Sequence, residues 1–261
     1  MNRSIVFFDI DGTIWDLKQR IPESTVRALK KLRENGHYAF LNSGRTRSFI
    51  HDSDIRELSL DGIVGGCGTY VEMDHEVIFN HLLDDDLVDR TVSLLKGNHM
   101  PLVLEGCDKL YFDEEDFEGD PFLRVLLSQE ECKACRITGV TGERRVNKMS
   151  VNMVEDNIEE ILGRLSEHYE ILVHGGQFME LVPRGFSKAT GMKVVADRLG
   201  VPREDTFAFG DSRNDLEMLR AAGVGVVMGN GTDEAKAAGD FVTKPLDEDG
   251  IEYALKYHGL I

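Results

Sequence analysis

Short apolar runs alternate with amphipathic stretches along this chain, and the first two runs stop at a polar residue. Ile5-Val6-Phe7-Phe8 is apolar at every position and ends at Asp9, the pattern of a strand buried on both faces of a parallel sheet. A helix is predicted next. Pro22 and Glu23 stand at its start, Val26, Leu29 and Leu32 recur along one face, and Asn35-Gly36 stops it. A second apolar run, Tyr38 to Leu41, terminates at Asn42-Ser43-Gly44-Arg45. The order strand, helix, strand predicts a right-handed crossover.

The last third of the chain repeats this grammar. A helix predicted over Lys188 to Leu199, stopped by Gly200 and Pro202, leads into the strand Phe207-Ala208-Phe209 and then Gly210-Asp211. A further helix through Leu216 and Leu219 stops at Gly223, and Val224 to Met228 and Phe241-Val242 read as strands. From about Leu82 to Pro183 the pattern differs. Acidic clusters (Asp84-Asp85-Asp86, Asp113 to Asp116) mix with helix-like stretches and strand-like segments such as Val146 to Val154. The expected architecture is therefore α/β: a doubly wound parallel sheet built from residues 1–81 and 186–261, interrupted by a smaller α+β domain over residues 82–185.

Composition narrows the class without naming a function. The 261 residues are 41% hydrophobic and 30% charged with only 6 Pro, which fits a globular chain and excludes collagen-like or low-complexity sequence. No apolar stretch approaches the roughly 18 residues that a spanning helix needs, and Ile5 to Phe8 is too short for a signal peptide. A cytoplasmic protein without a membrane partner is expected. The net charge of −17, with no basic block to interrupt it, argues against a nucleic-acid partner, which calls for phosphate-neutralising cations. Four cysteines are too few to staple a chain of this size, so reduced thiols are expected. Cys132 and Cys135 have the spacing of zinc ligands, but no second pair follows, and no structural zinc is expected.

In open α/β sheets ligands bind beyond the carboxyl ends of the strands, and three such ends carry polar groups here. Asp9-Ile10-Asp11-Gly12-Thr13 offers two carboxylates that can converge on one cation or divide nucleophilic and acid–base work. An isolated Asp-Gly more often only turns the chain. Ser43-Gly44 offers a hydroxyl and a backbone amide to a phosphate oxygen, although Ser is also a preferred helix cap. Gly210-Asp211-Ser212-Arg213-Asn214-Asp215 places Asp211 and Asp215 one helical turn apart, where both can face a hard cation such as Mg²⁺ or simply cap a helix. Lys188 on its own is by default a solvated lysine. Occurring together, these groups supply cation ligands, a nucleophile and phosphate donors, a set that independent capping does not explain.

In this order and at these separations, the four segments resemble the motifs of the haloacid dehalogenase (HAD) superfamily of phosphohydrolases. The insert resembles the large cap of the Cof-type (type IIB) members. That resemblance implies a HAD-like, Rossmannoid core and an aspartyl-phosphate route with Mg²⁺ as cofactor. Asp9 would attack phosphorus, and Asp11 would protonate the leaving alcohol and later deprotonate water. The metal would be held by Asp9, Asp11 (through its backbone carbonyl), Asp211 and Asp215, and the phosphoryl group by Ser43, Gly44, Lys188 and Asn214. The implied substrate is a small phosphorylated metabolite, foremost a sugar phosphate, with pyridoxal phosphate or flavin mononucleotide as alternatives. A phosphomutase on the same fold and a non-catalytic phosphosugar-binding protein are the rival readings; the second leaves Asp11 without a purpose. Many relatives carry an Asn-Gly pair where this chain has Gly66-Cys67-Gly68-Thr69, with Cys67 read as a small buried residue first and as part of the pocket lining second. In the insert, Arg124, Lys148 and His174 could meet a leaving group, but the base rate for charged residues puts each at the surface.

Overall fold

The computed structural model describes residues 3–16, 18–127, 133–137, 144–153, 158–174 and 178–261. Its strands are β1 (Ile5–Phe8), β2 (Tyr38–Asn42), β3 (Gly62–Gly65), β4 (Tyr70–Met73), β5 (Glu76–Asn80), β6 (Leu102–Glu105), β7 (Lys109–Tyr111), β8 (Lys133–Cys135), β9 (Lys148–Asn152), β10 (Tyr169–His174), β11 (Phe178–Pro183), β12 (Thr206–Gly210), β13 (Val224–Val227) and β14 (Phe241–Val242). Its helices are α1 (Glu23–Glu34), α2 (Asp52–Ile55), α3 (Asp85–Gly97), α4 (Phe122–Leu127), α5 (Ile158–Leu165), α6 (Lys188–Leu199), α7 (Leu216–Ala221), α8 (Asp233–Ala238) and α9 (Gly250–Tyr257). The chain divides into two compact units: Met1–Gly44 with Asp52–Phe79 and Ser187–Ile261, and Arg45–His51 with Asn80–Phe186.

An eight-stranded sheet in the order β14-β13-β12-β1-β2-β3-β4-β5 runs through the first unit. From β14 to β3 neighbouring strands are parallel, and β4 turns back antiparallel on β3. Successive side chains of a strand face opposite ways, so Ile5 and Phe7 join Phe40, Val64 and Ala208 in a cluster with Met192 and Val195 of α6 and Met218 of α7. Val6 and Phe8 face the other side and are equally buried, which is why the run has no polar position. The edge formed by β4 and β5 carries no clear signal in the sequence. The turn between them needs φ above zero at both Asp74 and His75 (+51° and +65°), a geometry usually announced by Asn-Gly or Asp-Gly.

The second unit holds a six-stranded sheet in the order β10-β11-β9-β6-β7-β8, antiparallel apart from the β7–β8 pair. Met149, Val151, Met179 and Leu181 on one face pack with Val88 and Leu95 of α3 and with Ile161 and Leu165 of α5. The alternate residues Lys148, Ser150 and Glu180 fall on the opposite face and are buried there too. Asp84 starts α3 by accepting from the Asp86 and Leu87 amides, the usual service of an N-cap aspartate. Cys132 and Val154, both singled out from the sequence, lie outside the described residues, and so does the Cys135 side chain.

Candidate active site

Parallel pairing fixes where the acidic residues fall. Phe8 is in register with Leu41 on one side and Phe209 on the other, so Asp9, Asn42-Ser43 and Gly210-Asp211 leave three adjacent strands at one edge. The Asp9 amide still bonds the Phe209 carbonyl at 2.9 Å, which ties the start of this loop to β12. Gly12 then turns the chain with φ +83°, and its carbonyl accepts from Asn230 Nδ2 at 2.8 Å.

Ligand oxygens of Asp9, Asp211 and Asp215 come within 4.8 Å of one another. Between two of these residues lies the Lys188 ammonium, which donates to Asp9 Oδ1 at 2.5 Å and to Asp215 Oδ1 at 2.6 Å. Lys188 is buried, not solvated. Ser187 caps α6 reciprocally with Thr190, and Asn42 Nδ2 donates to the Lys188 carbonyl, so the first turn of the helix delivers the ammonium to this position. Asp215 is spent on structure as well as charge: its Oδ2 accepts from the Asp211 and Ser212 amides at 2.9 and 3.0 Å. Asp211 is half-buried and accepts from Thr13 Oγ1. Asn214 accepts from Ser212 Oγ at 2.6 Å. Asp11 is exposed, and its Oδ1 accepts from the Trp15 indole.

Burial and mutual repulsion dominate the electrostatics. Desolvation, reinforced by Asp215 and Asp211, pushes the Asp9 carboxyl well above the usual range despite Lys188. Burial and the Asp215 charge raise Asp211 to about 7. Burial alone would depress Lys188, but Asp215 and Asp9 overcome it and hold the ammonium charged. Asp9, Asp211 and Asp215 are hard oxygen donors whose ionisation is costly in the absence of a cation, a set that could hold a hard divalent ion.

Ser43 is buried, and its carbonyl accepts from the Cys67 amide at 3.1 Å. Cys67 is buried with φ +53°, a backbone setting that Asn tolerates better than Cys. Gly68 has φ +86°, and a Cβ on it would come 2.2 Å from the Ser187 carbonyl, so this loop packs directly on the start of α6. Of the insert residues, Arg124 is exposed and the His174 side chain is 40% exposed. Lys148 departs from the base rate and is buried: it pairs with Glu105 at 3.2 Å and with Glu180. Sequence reasoning missed Asn230 and Trp15. The Asn230-Gly231 dipeptide after β13 was a signal for the first, and none marked the second.

The chain matches the family model of haloacid dehalogenase-like hydrolases over residues 6–255. It is 34% identical over its whole length, and that of the relative, to YkrA of Bacillus subtilis (strain 168), named as a presumed phosphatase. It is 30% identical to YitU of the same organism, a 5-amino-6-(5-phospho-D-ribitylamino)uracil phosphatase, over 97% of this chain and 96% of that one. Among solved structures, the HAD subclass IIB sugar phosphatase BT4131 superposes with a TM-score of 0.82 at 29% identity, covering 99% of this chain and 100% of the other. The protein belongs to the haloacid dehalogenase superfamily, among its Cof-type members with a type IIB cap.

Proposed function

We propose that this HAD-superfamily phosphatase is Mg²⁺-dependent and hydrolyses small phosphate monoesters with a sugar or polyol chain by way of an aspartyl-phosphate. The observation that carries the reading is the convergence of Asp9, Asp211 and Asp215 within 4.8 Å, with Lys188 seated between Asp9 and Asp215. Phosphoryl transfer asks chiefly for in-line positioning and charge neutralisation, and this set offers both. Asp9 would attack phosphorus as the ester P–O bond breaks, and Asp11 would hand its proton to the departing alkoxide. Water would then attack the aspartyl-phosphate while Asp11 takes the proton back, releasing phosphate. Lys188 would hold a phosphoryl oxygen, with Ser43 and Gly44 at the neighbouring strand end, and Asn214 would join them. Mg²⁺ held by Asp9, Asp211 and Asp215, with the Asp11 carbonyl, would screen the carboxylates from the incoming phosphate dianion.

Two relatives support the substrate class, since one is named for a sugar phosphate and the other for a phosphoribityl compound. No described helix is long and apolar enough to cross a membrane. Four cysteines are too few to staple a chain of this size, and the location we propose is the cytosol.

A panel of phosphorylated metabolites with Mg²⁺, read by phosphate release, tests the proposal. Wild-type protein is expected to release phosphate from sugar or polyol phosphates. EDTA should stop the reaction and excess Mg²⁺ restore it, and Asp9→Asn should bind substrate without turnover. An isomerised sugar with little free phosphate would make the protein a mutase, and inertness across the panel would make it a binding protein.

A further inference from the structure

Trp15 is the only tryptophan in the chain, and it is 2% exposed, although it lies on a loop that begins at the active site. The loop itself fixes the ring's backbone. The Gly12 amide donates to the Trp15 carbonyl at 2.9 Å, and the Ile14 and Trp15 amides both donate to the Ile10 carbonyl at 2.9 and 3.1 Å. Asp11 and Trp15 form an isolated bridge across this turn. The indole Nε1–H donates to Asp11 Oδ1 at 3.0 Å. A buried donor thus meets an exposed carboxylate of its own loop at hydrogen-bond distance.

We propose that Trp15 is the positioning residue of the acid–base carboxylate: its indole N–H fixes the plane and rotamer of Asp11. This rests on the reading of Asp11 as acid and base given above. An indole has one donor and no acceptor, so it orients the carboxylate without competing for the proton that Asp11 passes. The arrangement ties the accuracy of proton delivery to the packing of one aromatic ring, and a misplaced catalytic group is costly even when it is chemically intact.

Two measurements test the inference. The first needs no turnover. The excited indole N–H is a stronger donor than the ground-state one, so an accepting oxygen at Nε1 stabilises the excited state. Asp11→Ala, which removes that oxygen, should therefore move the single-tryptophan emission to the blue, and unchanged emission overturns the proposal. The second is single-turnover transfer to Asp9 from two esters. Glycerol 3-phosphate must leave as an alkoxide and needs the proton, whereas p-nitrophenolate leaves without it. Trp15→Phe is expected to slow release of glycerol about 10-fold, with the p-nitrophenolate burst within about 2-fold of wild type and KM unchanged for both. Equal slowing with the two esters would assign Trp15 a purely structural role and overturn the proposal. Wild-type turnover of glycerol 3-phosphate by Asp11→Asn would instead remove the acid–base reading underneath, a result distinguishable because that variant alters the carboxylate and leaves the ring in place.

Discussion

Gly12 lies at φ +83°, and a Cβ there would come 2.6 Å from Asp211 Oδ2. Both the backbone and the space refuse a side chain, so Gly12→Ala must either strain the loop by about 1–2 kcal/mol or push Asp211 out of the acidic cluster. Since the loop can shift without opening the sheet, the expected outcome is a folded protein with a displaced Asp211. Activity at fixed Mg²⁺ should fall about 10-fold or more, the half-saturating Mg²⁺ concentration should rise, and the circular dichroism spectrum should match wild type. An unaltered Mg²⁺ titration would show that Asp211 has no part in holding the ion. Asp9 and Asp211 are legible in the sequence, with Asp215 one helical turn further on, because each of the first two stands just beyond an apolar run and parallel pairing leaves such residues at one edge. Lys188 is not legible by its own local signal. Its burial comes from pairing with Asp9, 179 positions away, and no local pattern marks a lysine at a helix start for that. Trp15 reads as one more apolar residue for the same reason.

At the scale of elements, the buried charges of the second unit follow from strand alternation. Lys148 on β9 lies between Glu105 on β6 and Glu180 on β11. Ser150 donates to Glu105, Thr46 Oγ1 donates to it at 3.2 Å, and His174 meets Glu180 at 3.1 Å. Burial acts upward on Glu180, but Lys148 and His174 prevail and hold it at about 2, against 4.5 ordinarily. Burial raises Glu105 in spite of Lys148. A depressed folded-state pKa means that Glu180 favours the native state above about 4.5 and loses that contribution as pH falls towards 2. Glu105 works with the opposite sign. Glu180→Gln should cost about 3 kcal/mol at pH 7, as expected for breaking a buried pair, and the difference from wild type should shrink at pH 3. Urea unfolding at the two pH values measures it, and an equal difference at both would mean that lost packing, not lost charge, is responsible. The sequence announces β9 through Val146 to Val154 but not this network, because its partners sit on strands 43 and 32 residues from Lys148. The helix α6, by contrast, begins at Lys188 and ends at Leu199 as its cap residues Ser187 and Gly200 dictate, so boundaries set by local chemistry are readable and contacts set by pairing are not.

For the whole molecule, the alternation of strands and helices lapses near Leu82 and resumes near Lys188 in the sequence, while the second compact unit also takes in Arg45–His51, which no local pattern marks; the charge follows from composition alone. A net charge of −17 repels a phosphate dianion at long range, while Lys188 and a cation held by the acidic cluster would attract it at short range. Which field governs encounter depends on ionic strength. At about 10 mM salt the screening length is about 30 Å, comparable with the protein, and at about 150 mM it is about 8 Å, which leaves mainly the groups around Asp9 in view. The expected result is that kcat/KM for p-nitrophenyl phosphate, at saturating Mg²⁺, rises about 2-fold to 5-fold over that range while kcat stays level. The sign is the informative part. A protein whose global charge attracted its substrate would lose kcat/KM on adding salt, so a fall would show that the cation at Asp9, Asp211 and Asp215 already sets the field at the distances where substrate is captured. A rise would show that the acidic surface slows encounter and that the chemistry at the strand ends works against it.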